Sequence, residues 1–108
     1  MASARAVLAT LLLSAACAPA GGIHARMAYS EDRGLRIVDV PPGPAAEAGL
    51  VAGDRIVSVN GEPVRNLAYQ EVVERLRGRA GSTVRVQVER EGELVPLTLR
   101  RVAYEARN

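Results

Sequence analysis

The 108-residue sequence contains no lysine, no phenylalanine and no tryptophan, and it has a single cysteine and a single histidine. Each absence excludes something. With no Phe or Trp, a core must be assembled from Val, Leu, Ile and Ala, helped by Tyr29, Tyr69 and Tyr104. With one cysteine, Cys17, no intramolecular disulfide can form. All 14 basic residues are arginine, against 12 Asp plus Glu. Removing residues 1–20 takes away Arg5 and no acid, leaving 13 Arg against 12 acids. Signs are interspersed at that near balance, so nothing resembles the electrostatic footprint of a nucleic-acid binder. Three scattered tyrosines make no base-stacking platform.

Catalytic sets are equally scarce. Beyond residue 20 there is one His, no Cys, and only Ser30, Ser58 and Ser82, none in a nucleophile-elbow pattern. No metal-ligand spacing and no GxxxxGK phosphate loop occurs. The expectation is a non-enzyme without cofactor or metal.

The first twenty residues read as a leader. Arg5 gives a weakly basic start, and residues 6–16, AVLATLLLSAA, are apolar apart from Thr10 and Ser14. About 11 residues are too few to span a bilayer, which takes ~20, but they suit a signal-peptide core. Ala18-Pro19-Ala20 offers small residues for cleavage before Gly21. A second route is open. LLSAAC resembles a bacterial lipoprotein signal, in which Cys17 is lipid-modified and becomes the new N-terminus, although Ser14 stands where Leu is usual. The expected organisation is a leader over 1–20, one domain over 21–103, and a tail over 104–108. The expected location is outside the cytoplasm, periplasmic or lipid-anchored to the envelope, with membrane contact only through that anchor.

The domain itself is written in residues 41–62, PPGPAAEAGLVAGDRIVSVNGE. Pro44 suits the first position of a helix and Gly49 its left-handed stop. Gly53-Asp54 is a turn pair, and Asn60-Gly61 between valines is a hairpin signal because both tolerate positive φ. Strands are expected over residues 22–29, 35–40 and 55–59, with a short helix over 44–48 and an extended piece at 63–64. Asn66 is the expected cap of a longer helix, in which Tyr69, Val72, Val73 and Leu76 form one apolar stripe and Gly78 and Gly81 bring the stop. Residues 83–89 alternate strictly, Glu91-Gly92 turns the chain, and Val95, Leu97 and Leu99 mark a last strand. Pro96 within it should lie on an edge or a bulge.

This order resembles the circularly permuted PDZ domain of bacterial proteins, and is most similar to the PDZ module of C-terminal processing proteases. The resemblance covers residues 22–101. It rests on Gly22-Ile23, the Pro-Gly-x-Pro-Ala-x-x-Ala-Gly-Leu stretch at 42–50, Gly53-Asp54-Arg55-Ile56, Val59-Asn60-Gly61, and Leu76-Arg77-Gly78. It implies an α+β fold: a small, partly open β-barrel or sandwich of five to six strands capped by one short and one longer helix. It also implies capture of protein C-termini or extended peptides by strand addition.

On that resemblance the carboxylate cradle is Gly22, Ile23, His24 and Ala25, whose backbone N–H groups converge on an anion. The receiving strand is residues 24–29, including Arg26 and Met27. The facing helix contributes Ala68, Val72 and Leu76 to an apolar pocket for a terminal Val, Leu or Ala. His24 departs from the family pattern, because it stands where a second Gly permits φ > 0. Three readings stay open for it: a shifted, weaker loop, a protonatable donor that strengthens binding below about pH 6.5, or a solvent-facing residue with no role. Asp54 and Asn60 read as turn formers, Glu31-Asp32 as a solvated turn, and Arg26 and Arg65 as solvated cations within reach of acidic guest side chains. The resemblance does not bring catalysis with it, since the Ser/Lys pair of those proteases needs a lysine. An adaptor to an envelope protease, a fragment of a C-terminal processing protease that keeps only its recruiting domain, and an assembly role for the same sheet edge all fit.

Overall fold

A computed structural model describes residues 19–104; the leader with Cys17 and the end of the tail lie outside them. Two open antiparallel sheets carry the fold. Their strands are β1 (Ala20–Gly22), β2 (Arg26–Ser30), β3 (Gly34–Asp39), β4 (Arg55–Val59), β5 (Glu62–Pro63), β6 (Gly78–Arg79), β7 (Thr83–Arg90), β8 (Glu93–Arg100) and β9 (Val102–Ala103). The larger sheet runs β2-β3-β4-β7-β8, with β5 paired to β4, and the smaller runs β6-β1-β9. Helix α1 (Pro44–Glu47) and helix α2 (Tyr69–Leu76) complete the α+β fold, with a 3-10 turn at Val64–Asn66 before α2.

The strand count exceeds the expected five to six because β1, β5, β6 and β9 are only two or three residues long. A period-2 pattern needs four or more residues to declare itself. The expected first strand over 22–29 is in fact two. An irregular connection at Ile23-His24-Ala25, with His24 at φ +58°, separates β1 from β2, and the two belong to different sheets. Asn66 does not cap α2; it ends the 3-10 turn, and Ala68 is the cap. Lacking a side-chain acceptor there, the helix uses Glu71, whose Oε1 accepts the Ala68 N–H at 2.9 Å. Gly78 does not stop α2 by a left-handed turn either. Arg77 turns the chain out with extended backbone, φ −80°, ψ 155°.

Alternation in β7 holds as expected, with Val84, Val86 and Val88 buried and Thr83, Arg85 and Gln87 outside. They pack with Leu35, Ile37, Ile56, Val59 and Leu99 from the neighbouring strands, and with Val72 and Leu76 from α2. This aliphatic core holds no aromatic ring; each buried Leu, Ile or Val contributes about 1.5–3 kcal/mol. Pro96 sits on β8, which pairs only with β7 and is therefore an edge. At the β4–β5 hairpin Asn60 takes φ +50° and Gly61 φ +84°. Asn60 does more than turn the chain: its N–H donates to the Arg85 carbonyl at 2.7 Å and its Oδ1 accepts the Arg85 N–H at 3.0 Å.

Asp54 likewise exceeds its reading as a turn former. Its side chain is 0 % exposed. Arg90, at the end of β7, clamps it from two sides, Nε to Oδ1 at 2.8 Å and Nη2 to Oδ2 at 2.7 Å. Oδ2 also accepts the Val51 N–H at 3.1 Å. Burial by itself would push the carboxyl pKa up. The Arg90 and Val51 hydrogen bonds and the Arg90 charge outweigh it and hold Asp54 below its ordinary value.

A carboxylate with a depressed folded-state pKa contributes stability above its unfolded pKa, about 3.9, and that contribution is lost as pH falls through the folded value. Asp54→Asn should therefore cost about 3 kcal/mol at pH 7, because it strands Arg90 in a partly buried site. Urea unfolding at pH 7 and below pH 4 checks this: the gap between the wild type and Asp54→Asn narrows in acid.

Candidate functional site

Strand β2 is the other edge of the larger sheet. It pairs with β3 on one side only, with a register shift between Arg26 and Met27. Along its unpaired side runs a groove of about 780 Å³ bounded by α2 and by the turn that leads from β1 into β2.

That turn is held by glycines where no side chain fits. A Cβ on Gly21 would lie 2.4 Å from the Val102 carbonyl oxygen, because β1 is the middle strand of the small sheet. A Cβ on Gly22 would lie 2.9 Å from the Tyr104 hydroxyl, whose ring covers the start of the turn. Ile23 plunges into the core, 3 % exposed, and anchors the turn from below. His24 then takes φ +58°, the left-handed conformation that the missing glycine would favour, and stays exposed. Among the described residues, none of the N–H groups of Ile23, His24 and Ala25 donates to another protein group. Three successive backbone donors without partners, at the end of an open strand edge, are chemically suited to an anion or to a guest carbonyl.

The helix wall is fixed at its far end by Arg101. Its Nε donates to the Leu76 carbonyl and its Nη2 to the Arg75 carbonyl, both at 3.0 Å, so the last turn of α2 finds the partners its carbonyls lack. Nη1 reaches the Ser82 hydroxyl at 2.9 Å and the Thr83 carbonyl at 3.0 Å. Gly78 makes room for this fork: a Cβ there would lie 2.7 Å from the guanidinium. Arg101 precedes β9, and β9 pairs with β1, so one side chain links the helix wall to the turn opposite. At one end of the groove, the rings of Tyr69, which lines it, and Tyr29 stack obliquely, centroids 5.0 Å apart, and bridge β2 to the first turn of α2.

The residues singled out in the sequence divide clearly. Gly22, Ile23, His24, Ala25, Arg26 and Met27 all line the groove, and Leu76 joins them from α2. Val72 points into the core at 2 % exposure, and Ala68 is the exposed cap, so neither forms the groove wall. The wall is instead Tyr69, Val73 and Arg77, with Tyr104 over the cradle. Tyr69 and Val73 belong to the apolar stripe, but the stripe alone does not say which of its borders faces a groove. Nothing in the local sequence marks Tyr104. No group of three or more His, Cys, Asp or Glu able to hold a metal is found among the described residues.

An open strand edge, a facing helix and a turn of free amides are the parts from which strand-addition peptide sites are built. Residues 36–90 match the PDZ domain family model, and the chain belongs to that family. A candidate zinc metalloprotease of Brucella suis is 48% identical over 62 residues, covering 56% of this chain and 16% of that protein. A carboxyl-terminal-processing protease of a Picosynechococcus species is 40% identical over 52 residues, 48% of this chain and 13% of that protein. Among solved structures, the photosystem II D1 C-terminal processing protease superposes with a TM-score of 0.68 and 29% identity, over 82% of this chain and 24% of that one. The chain thus spans about a quarter or less of each of these proteins.

Replacing Arg101 with Met leaves the carbonyls of Arg75 and Leu76 without their charged donor. Stability is expected to fall by about 2 kcal/mol. Amide exchange should quicken at Leu76 and Arg77 more than in β7, which hydrogen-exchange mass spectrometry resolves.

Proposed function

We propose that this chain captures protein C-termini by strand addition, the guest backbone pairing with β2 and its terminal carboxylate resting on the amides of Ile23, His24 and Ala25. The observation that carries this reading is the coincidence of an unpaired β2 edge with three N–H groups at its start that find no partner among the described residues. Leu76 and Val73 supply an apolar floor and wall, which suits a terminal Val, Leu or Ala. The domain performs no chemistry in this reading; it recruits. Similarity to two differently named kinds of protease supports that, since what they share with this chain is this module.

The short span relative to those proteins favours a second reading on the same groove. The chain would then be the recruiting portion of a longer protease rather than an adaptor to a separate one. Reading the adjoining DNA for an in-phase catalytic domain separates the two.

Export through the leader is part of the proposal. Cleavage before Gly21 would remove two acceptors of the small sheet: the Pro19 carbonyl, which takes the Ala80 N–H at 2.8 Å, and the Ala20 carbonyl, which takes the Tyr104 N–H at 3.4 Å. Cleavage before Cys17 keeps both, and this supports the lipoprotein route. Mass spectrometry of the mature protein is expected to show an N-terminus at residue 17 carrying lipid; a mass starting at Gly21 refutes that.

The central test is fluorescence anisotropy with a labelled decapeptide ending in free Leu. Micromolar affinity is expected, about −8 kcal/mol. Amidating the terminus should weaken it at least tenfold, and Val73→Asp should abolish binding in a protein that still unfolds cooperatively. Equal affinity for the acid and the amide would overturn the proposal.

A further inference from the structure

The charges around the groove are one-sided. Arg26 enters it from the start of β2 and Arg77 from the end of α2, and no Asp or Glu lines it. Neither arginine takes part in an ion pair among the described residues, where the pairs are Arg55–Glu89, Arg75–Glu62 and Arg90–Asp54. The nearest acid by register is Asp39, opposite Arg26 across β2 and β3, and it makes no ion pair with it. Both arginines are exposed, so they remain charged and available to a guest.

The other end of the β2 edge differs. The pocket beyond the Tyr29–Tyr69 stack is lined by Glu31 and Asp32 as well as Arg55 and Arg65. Charge there is mixed and gives no net preference. A guest strand antiparallel to β2 advances about 3.3 Å per residue. Only its last few residues lie between Arg26 and Arg77, and residues six or more from its end have passed the tyrosines.

We infer that the groove selects chain ends that carry Asp or Glu within the last few residues before the terminal carboxylate. This rests on the strand-addition reading and adds a specificity to it. The carboxylate is held by backbone amides, and the acidic side chains by Arg26 and Arg77. The local character of the effect separates it from the general attraction of anions to a basic protein: an acid must sit near the terminus to count.

The test uses the full chain and three labelled decapeptides that all end in free Leu. One is otherwise neutral, one carries two Asp among the three residues before the Leu, and one carries the same two Asp at its first two positions. In low salt the near-terminal acidic peptide is expected to bind about five- to tenfold more tightly than the neutral one, in keeping with exposed ion pairs. The displaced acidic peptide should stay within about twofold of neutral. In 0.5 M salt the preference should shrink towards one. The Arg26→Gln/Arg77→Gln double variant should bring the acidic-to-neutral ratio to about one. Equal binding of all three peptides overturns the selectivity and leaves strand addition standing. A neutral peptide that binds no better than its amide overturns strand addition itself. Equal gains from near and displaced acids would mean a diffuse field and would also overturn the inference.

Discussion

The buried contact between Asp54 and Arg90 holds the parts of this small domain in one arrangement. Arg90 reaches past Asp54 to the Gly49 carbonyl at 2.9 Å, which fixes the exit of α1. The Asp54 main-chain carbonyl accepts the Ile37 N–H at 2.8 Å, which fixes the middle of β3. A single charged cluster thereby joins the short helix, the turn before β4, the inner strand β3 and the far end of β7. An aliphatic core without rings has few directional contacts of its own, since burial is non-directional. Direction comes from this polar cluster. Both oxygens of the buried Asp54 carboxylate are matched, by Arg90 Nε and Nη2 and by the Val51 N–H, as a buried charge requires if it is not to become a liability.

The groove depends on that frame. Among the described residues β3 is the one strand that pairs with β2, whose other side is left unpaired. On the opposite flank Arg101 plays a comparable part for α2, and Gly21, Gly22 and Gly78 make the close approaches that let β1, Tyr104 and the guanidinium fork pack. The functional surface is therefore built mainly of backbone, and its side chains tune it. That division is the one the proposed capture of chain ends would call for, with backbone for affinity and side chains for selectivity.

Much of this was legible in the sequence, and the rest fails for identifiable reasons. Strand β4, the Asn60-Gly61 hairpin, the alternation of β7 and the apolar face of α2 are local patterns and could be read residue by residue. Residues 22–25 could be singled out only through family resemblance, because four residues carry no periodic signal; they line the groove. The split of β1 from β2 was hidden by their adjacency: both are extended, and what divides them is pairing with strands some 60 to 80 residues later. Asp54 looked like half of a turn because its partner lies 36 residues away. Tyr104 falls in the expected tail, and nothing local singles out Arg101. The stripe of α2 was found correctly, yet Val72 and Val73, one residue apart, face core and groove respectively, and only tertiary packing decides between them.

Pro96 has a consequence for how this surface behaves at high concentration. Strand-adding domains run the risk of recruiting one another, edge to edge, into chains without end. Here β8 is the one other long edge, and Pro96 interrupts its row of donors, while β6 and β9 are two residues each and too short to template anything. Among the described residues, β2 is left as the one long edge without a proline. On the strand-addition reading proposed above, a guest docked on β2 would cover that edge and leave no second long one to extend.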